Sequence, residues 1–485
     1  ACNGFVMAGH HERRVVRPDH PAHRFERSDI VRHGCLEDHG AAFHVDDPRV
    51  GSKLMEGRTG LARYASHVGA IAMRRGAFDV PSSQRVHSDE RIDASALGSS
   101  LVVHRRVVGG SSRWRTDGSA CLAMLARRIY SRDVLAKLLD AAFTRRFDRL
   151  SNRDAARKLR FLEQVDGRPL ARRLRREADA YAVEVLGSKA FAPWLHVYAK
   201  GRGAFVEGWM PDNFFARVVI PNVNGALRFL PRYKTFTTSV FDAPVIPDVG
   251  YVIAGRFYGP GFQPVATDAM RDVLFSRSDE VIVKRDDSQG GRDVFFVQAD
   301  RFDPDALLGD APNAVIQWRV DQHPLFTDLS GADGSNLRLM TVRLPDATIQ
   351  VRVAVMRFAP RGARMYGPGD GYYALVDHAS GHFLERYRTS NWRLIDRIPD
   401  ASKPLGSGPI PGYRAACSAC LALHARVPHL GVIGWDVMID GEERPWVVEW
   451  NARHPSAVAS ETFLGPLFTG LGWESLRPIR RTWLF

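Results

Sequence analysis

Two apolar runs joined by an acidic turn bring oxygen donors together where a divalent cation could sit. Gly434-Trp435-Asp436-Val437-Met438-Ile439 and Pro445-Trp446-Val447-Val448-Glu449-Trp450-Asn451 flank Asp440-Gly441-Glu442-Glu443-Arg444, the pattern of a β-hairpin. Side chains alternate along a strand, so Glu449 and Asn451 share a face. If Ile439 pairs with Trp446, Asp436 falls opposite Glu449. Facing carboxylates repel. A divalent cation relieves the repulsion, and three oxygen donors suit Mg²⁺ completed by water and phosphate oxygens. The alternatives are neutralisation by Arg or Lys, or a different register.

A second hairpin carries a cation and a flexible loop. Val281–Lys284 reads as a β-branched strand ending in Lys284, and Asp293–Val297 as its return. The connection holds Ser288, Gly290 and Gly291. Glycines let backbone amides approach an anion closely, and Lys284 supplies a point charge. No Gly-Lys-Ser/Thr occurs, so this is not a Walker A loop. Taken alone, the segment reads first as a plain surface hairpin.

The next strand, Ala314–Val320, contains Gln317, Trp318 and Val320, and its exit could offer backbone groups to a base. His323, before Pro324, reads as a loop residue. Two further strands meet at Pro345-Asp346. On the first, Asn336, Arg338 and Met340 share a face, and Arg338 among apolar neighbours demands an anion. Arg357 stands near the end of the second. Guanidinium groups grip phosphate or carboxylate bidentately and can stabilise a transferring phosphoryl group. A structural ion pair with one of the carboxylates is the competing reading.

These pieces need a scaffold, and the chain has room for one. Its 485 residues, 45% hydrophobic and 25% charged, allow two or three domains. No apolar run is long enough to cross a bilayer, and no charged-then-apolar leader opens the chain. Net charge is +13. The excess is spread over the N-terminal half, so it reads mainly as solvated surface. The five cysteines include one CxxC, Cys417 and Cys420, with no second pair to complete a zinc site; a buried helix face, Arg414–Val427, accounts for it.

Residues 1–115 hold ten histidines but no sustained periodicity; they are expected to be poorly ordered or not native coding sequence. Residues 116–200 are expected to form a helical N-terminal region, with helices at 154–164 and 170–185 separated at Asp166-Gly167. Arg145, Arg146, Arg149 and Arg153 supply a polar face there. From about residue 200, β-branched runs at 218–221, 245–253, 281–284, 294–297, 315–320, 337–344, 349–358, 432–439 and 446–450 alternate with helical stretches. That pattern predicts an α+β domain.

The order of the motifs resembles the ATP-grasp superfamily, and within it the sugar-transfer associated ATP-grasp family. The resemblance spans roughly 205–466. It starts with Glu207-Gly208-Trp209-Met210-Pro211-Asp212 and Tyr233-Lys234-Thr235-Phe236, and is most specific at Glu449-Trp450-Asn451-Ala452-Arg453-His454-Pro455. It implies two α+β lobes clasping ATP, with residues 201–270 leading into an ATP-grasp domain at 271–475. It implies ATP contacts from Lys234, Lys284, Ser288, Gly290 and Gly291, and an adenine hinge at Gln317, Trp318 and Val320. Arg338 and Arg357 would act on phosphate or acyl-phosphate, and Asp436, Glu449 and Asn451 would bind Mg²⁺. Trp318 stands where the family commonly has an acid. Tyr366-Gly367-Pro368-Gly369-Asp370-Gly371 departs from the family's Asn and double-Gly segment, which bears on substrate positioning.

The implied activity is an ATP- and Mg²⁺-dependent ligase, in which a carboxylate becomes an acyl-phosphate that an amine attacks. Its substrate would be a small or sugar-linked molecule, in a cytoplasmic setting linked to polysaccharide biosynthesis. The alternatives are a kinase acting on a sugar or other hydroxyl, and a non-catalytic basic binding protein. Nucleic acid is not expected as a partner; peripheral membrane contact stays open.

Overall fold

The computed structural model describes residues 107–108, 111–112 and 132–479, apart from 289–292, 311–312, 368, 385 and 407. Most of the 1–115 stretch, Cys2, Cys35, Cys121, Gly290 and Gly291 lie outside the described residues. No helix among the described residues is long and apolar enough to cross a membrane.

Three helices come first: α1, Arg132–Asp166; α2, Arg172–Glu184; and α3, Ala192–Arg202. α1 is one 35-residue helix, where the sequence suggested a separate helix from residue 154. No Gly or Pro interrupts it. It ends before Gly167, whose φ of 68° only glycine adopts cheaply. α3 lies almost wholly within the stretch expected to be helical, but its bounds were not marked in the sequence. Its Trp194, Leu195, Val197, Tyr198 and Ala199 are all buried, so it lacks the polar face that marks an amphipathic helix. The strand expected at 218–221 is helical, with one turn at Phe215–Val219 running into Ile220–Asn224. Val218, Val219 and Ile220 are fully buried, and packing overrides their β propensity.

Apart from a two-residue antiparallel pair, Val107–Val108 with Ser111–Ser112, the described strands form two antiparallel sheets. The smaller contains β1 Asp248–Ile253, β2 Arg256–Tyr258, β3 Glu280–Arg285, β4 Val294–Gln298 and β5 Asn313–Trp318, in the order β2-β1-β5-β3-β4. The larger contains β6 Asn336–Arg343, β7 Ile349–Phe358, β8 Tyr372–Leu375, β9 Tyr387–Thr389, β10 Leu394–Ile395, β11 Val432–Ile439 and β12 Pro445–Asn451. Its order is β10-β9-β8-β7-β6-β11-β12. The α+β expectation holds.

Alternation along β6 assigns the faces of the larger sheet. Leu337 and Leu339 pack with Tyr413, Ala416, Cys420 and Leu423 of α4, Tyr413–Ala425. Cys420 is a free thiol in that core, as the helix reading required. Met340 and Val342 point to the other face and pack with residues of α2 and α3. The smaller sheet has its own core, in which Val281, Val283, Ala314 and Ile316 meet Met270 and Leu274.

Beneath α4 a buried polar chain crosses the sheet. The Trp435 indole donates to Thr341 Oγ1 at 2.8 Å, Thr341 Oγ1 lies 2.7 Å from His424 Nδ1, and His424 Nε2 is 2.8 Å from the Leu430 carbonyl. Burial pushes the His424 pKa down to about 4. The unfolded chain therefore binds a proton between pH 6.5 and 4 that the folded chain refuses, so the stability is present above 6.5 and lost as pH falls towards 4. The expected loss is on the order of 3 kcal/mol. Urea unfolding across that range should show a shallower pH slope in His424→Gln than in the parent.

Candidate active site

The hairpin β11–β12 pairs Asp436 with Glu449. The expected Ile439–Trp446 pairing does not occur: Ile439 pairs with Pro445 and Met438 with Trp446. A register shift beyond Asp436 leaves Val448 without a partner and restores the Asp436–Glu449 pair, as a β-bulge does. On the other side Asp436 pairs with Arg338 of β6. Arg338, Asp436 and Glu449 thus stand in one row across three strands and share a face.

Arg338 grips Asp436 bidentately, with Nε 2.6 Å from Oδ1 and Nη2 2.9 Å from Oδ2. Arg357 adds a contact to Oδ1 at 3.4 Å. Burial would raise the Asp436 pKa, but the two guanidiniums outweigh it and hold the carboxyl below its ordinary value. The ion pair weighed from sequence is therefore real. It does not use up the carboxylate, because each oxygen has two lone pairs and Oδ2 accepts one bond.

Glu449 makes no hydrogen bond or ion pair among the described residues, and neither does the Asn451 carboxamide. Lys284, Lys234 and Arg338 act on Glu449 through space, so the facing carboxylates are partly balanced by protein cations, and a bound cation would complete the balance. The donors are all oxygen, which fits Mg²⁺ with water and phosphate completing the shell. No group of three His, Cys, Asp or Glu side chains among the described residues could cage a metal, so the Asn451 amide oxygen and outside ligands would be required.

The bulge also joins the two sheets. Lys284, on β3 of the smaller sheet, donates to the Val448 carbonyl at 2.9 Å. Burial and nearby Lys234 lower the Lys284 pKa, while Glu449 raises it. Trp318 and Trp446 meet edge to face at 5.0 Å, a second contact between the two sheets.

Lys234 sits in a short helical turn, Lys234–Phe236. Its ammonium donates to the carbonyls of Arg285 and Ser288 at 3.1 and 2.8 Å, and to Ser288 Oγ at 3.0 Å. All three of its protons are engaged, so here Lys234 anchors the loop after β3. Asp286 strengthens that anchor by accepting from the Thr235 amide at 3.0 Å and hydroxyl at 2.8 Å. The chain is left-handed on both sides of the loop, at Asp287 (φ 58°) and Asp293 (φ 60°), where Asp is tolerated better than most residues.

At the expected hinge, Gln317 is buried and its amide donates to Asp248 Oδ1 at 2.8 Å. Thr238 and Tyr251 donate to Asp248 Oδ2 at 2.7 and 3.1 Å. Gln317 is thus a wall residue, fixed from behind. The Trp318 amide is also committed, donating to the Pro247 carbonyl at 3.1 Å; this corrects any reading that leaves it for a base. Val320 has no bonded amide partner among the described residues. His323 caps the helix Pro324–Ser330, its Nδ1 accepting from the Leu325 amide at 3.1 Å.

Sequence reasoning missed Asp248, Asp286 and the Val448 carbonyl. Asp248, directly after Pro247, and Asp286, after Lys284-Arg285, were acids beside named motifs; nothing in the sequence marked the bulge. Asp248→Ala would strand three donors, of which Gln317 and Tyr251 are buried, and urea denaturation should register a loss of about 2–3 kcal/mol.

Residues 263–463 match the family described as sugar-transfer associated ATP-grasp, and that segment carries the larger sheet and three of the five strands of the smaller one. The match spans somewhat under half of the chain. No curated protein matches. Among solved structures, an L-amino acid ligase from Bacillus licheniformis is 13% identical, over 51% of this chain and 48% of its own, with a TM-score of 0.29. D-cycloserine synthetase DcsG is 17% identical, over 51% and 69%, at 0.30. Carboxyaminoimidazole ribonucleotide synthase from Aspergillus clavatus, complexed with ATP, is 13% identical, over 46% and 44%, at 0.28. The chain thus spans under half the length of two of these three, and scores this low carry no structural detail.

Proposed function

We propose that the cleft between the two sheets binds ATP with Mg²⁺ and activates a carboxylate for attack by an amine. The observation that carries the reading is the Lys284–Val448 bond, which sets a strand-end cation of one sheet beside the Arg338–Asp436–Glu449 row of the other. The family match over 263–463 supports ATP as the phosphoryl donor.

Glu449, Asn451 and the free lone pair of Asp436 would hold Mg²⁺, which neutralises phosphate charge when bound. Lys284 faces the same phosphates. Lys234 and Asp286 position the loop after β3, with Ser288 at its start and Gly290 and Gly291 within it. Gln317, Trp318 and Val320 wall the base. Arg357, beside Asp436, stabilises the charge that develops as the γ-phosphoryl passes to the carboxylate oxygen. The amine then attacks the acyl carbon, forming the amide and releasing phosphate. A sugar-linked acid or amine as substrate rests on the family's description alone.

The test is incubation with ATP, Mg²⁺ and paired acids and amines. ADP and free phosphate in equal amounts, with an amide product, support the ligase. ADP with phosphate on a hydroxyl product replaces it with a kinase. Lys284→Ala should raise the Kd for ATP at least about tenfold, on the scale of one charge-assisted contact; an unchanged Kd removes Lys284 from the site.

A further inference from the structure

α1 carries a row of cations pointing away from the protein. Phe147, Ser151, Ala155 and Lys158 are its buried positions. At about 100° per residue, Arg145, Arg149, Arg153 and Arg160 fall within an arc of about 80° on the opposite side. All four are exposed, and none makes a hydrogen bond or ion pair among the described residues. The carboxylates of the same stretch are drawn elsewhere: Asp148 pairs with Arg217, and Asp154 with Arg157. Like charges four residues apart destabilise a helix, so a row of guanidiniums with no acid between them is costly in water and favourable against an anionic surface.

We propose that this face of α1 docks on an anionic lipid bilayer. The row is straight and about 22 Å long at 1.5 Å per residue, which suits a plane of phosphate headgroups. The same stripe begins with Leu138, 59% exposed, and includes Ala142 and Ala156, so an apolar contact with the headgroup boundary accompanies the charges. It carries no aromatic side chain on which a nucleic-acid base could stack. The inference is independent of the chemistry in the cleft.

Sedimentation with vesicles tests it, using the full chain. Vesicles of phosphatidylcholine with about 30% phosphatidylglycerol should pellet the protein, pure phosphatidylcholine should not, and about 0.5 M salt should release it. Replacing Arg145, Arg149, Arg153 and Arg160 together by Ala should weaken partitioning by roughly two orders of magnitude. These exposed changes favour the helix, so folding is retained. Removing the same charge elsewhere, by Arg256→Ala, Arg271→Ala, Arg393→Ala and Arg414→Ala, should lower it less than about fivefold. No vesicle binding, equal loss in both quadruple variants, or a stronger salt-sensitive affinity for duplex DNA than for the anionic vesicles overturns the proposal.

Discussion

Glu449→Gln is expected to cut Mg²⁺-dependent ATP turnover by about a thousandfold or more while leaving the melting temperature at or slightly above that of the parent. The two halves of that result come from one observation: Glu449 faces Asp436 and makes no hydrogen bond or ion pair among the described residues. Removing its charge strands no donor, and the relieved repulsion offsets the lost attraction to Lys284, Lys234 and Arg338. The cost falls on the cation and the phosphates it would bridge, where one lost oxygen ligand removes charge stabilisation in the transition state. Turnover is read by ADP release at saturating ATP, and stability by thermal unfolding of the same sample. A melting temperature several degrees lower would mean that Glu449 is a structural residue.

Arg338→Met is expected to give the opposite pattern, a loss of about 3–5 kcal/mol in stability, the scale for breaking a buried pair. Asp436 would keep only the longer Arg357 contact. Its pKa should rise, because burial already pushes it up and the larger opposing charge is gone. In the parent, the stability from this pair is present above the ordinary carboxylate pKa and lost as pH falls through the lower folded value. The difference between parent and variant should therefore shrink in acid. Changing both residues to Met should recover most of the loss, since no uncompensated charge remains. Urea midpoints at neutral and acid pH check both statements. A loss under about 1 kcal/mol at neutral pH would show that the pair does not hold the row together.

The contrast between neighbouring carboxylates also marks how far the sequence could be read. Alternation and turn chemistry sufficed to recognise the hairpin that carries Asp436 and Glu449. They did not suffice for the turn register. The pairing used from sequence was one residue off, and a bulge at Val448 cancelled the error. That bulge provides the carbonyl that Lys284 meets, and no residue type announces it.

Lys234 and Lys284 were both named from the sequence as phosphate contacts, the first through the family resemblance alone, yet the three bonds of Lys234 to Arg285 and Ser288 depend on a contact some 50 positions away in sequence. The same limit hid Asp248, whose role becomes visible only when β1 and β5 pair. Valines at 218 and 219 misled for a different reason: full burial made their helical packing worth more than their local preference. The bounds of α3, within the stretch expected to be helical, went unmarked because it is buried almost all round and shows no amphipathic period.

The central claim is that Asp436, Glu449 and Asn451 hold a divalent cation against nucleotide phosphates next to Lys284. Electron paramagnetic resonance of Mn²⁺, titrated with a non-hydrolysable ATP analogue, tests it most directly. The account predicts that the parent binds Mn²⁺ much more tightly with the nucleotide than without it, and that Glu449→Gln loses this gain. Equal Mn²⁺ affinity in parent and variant in the presence of the nucleotide would contradict it.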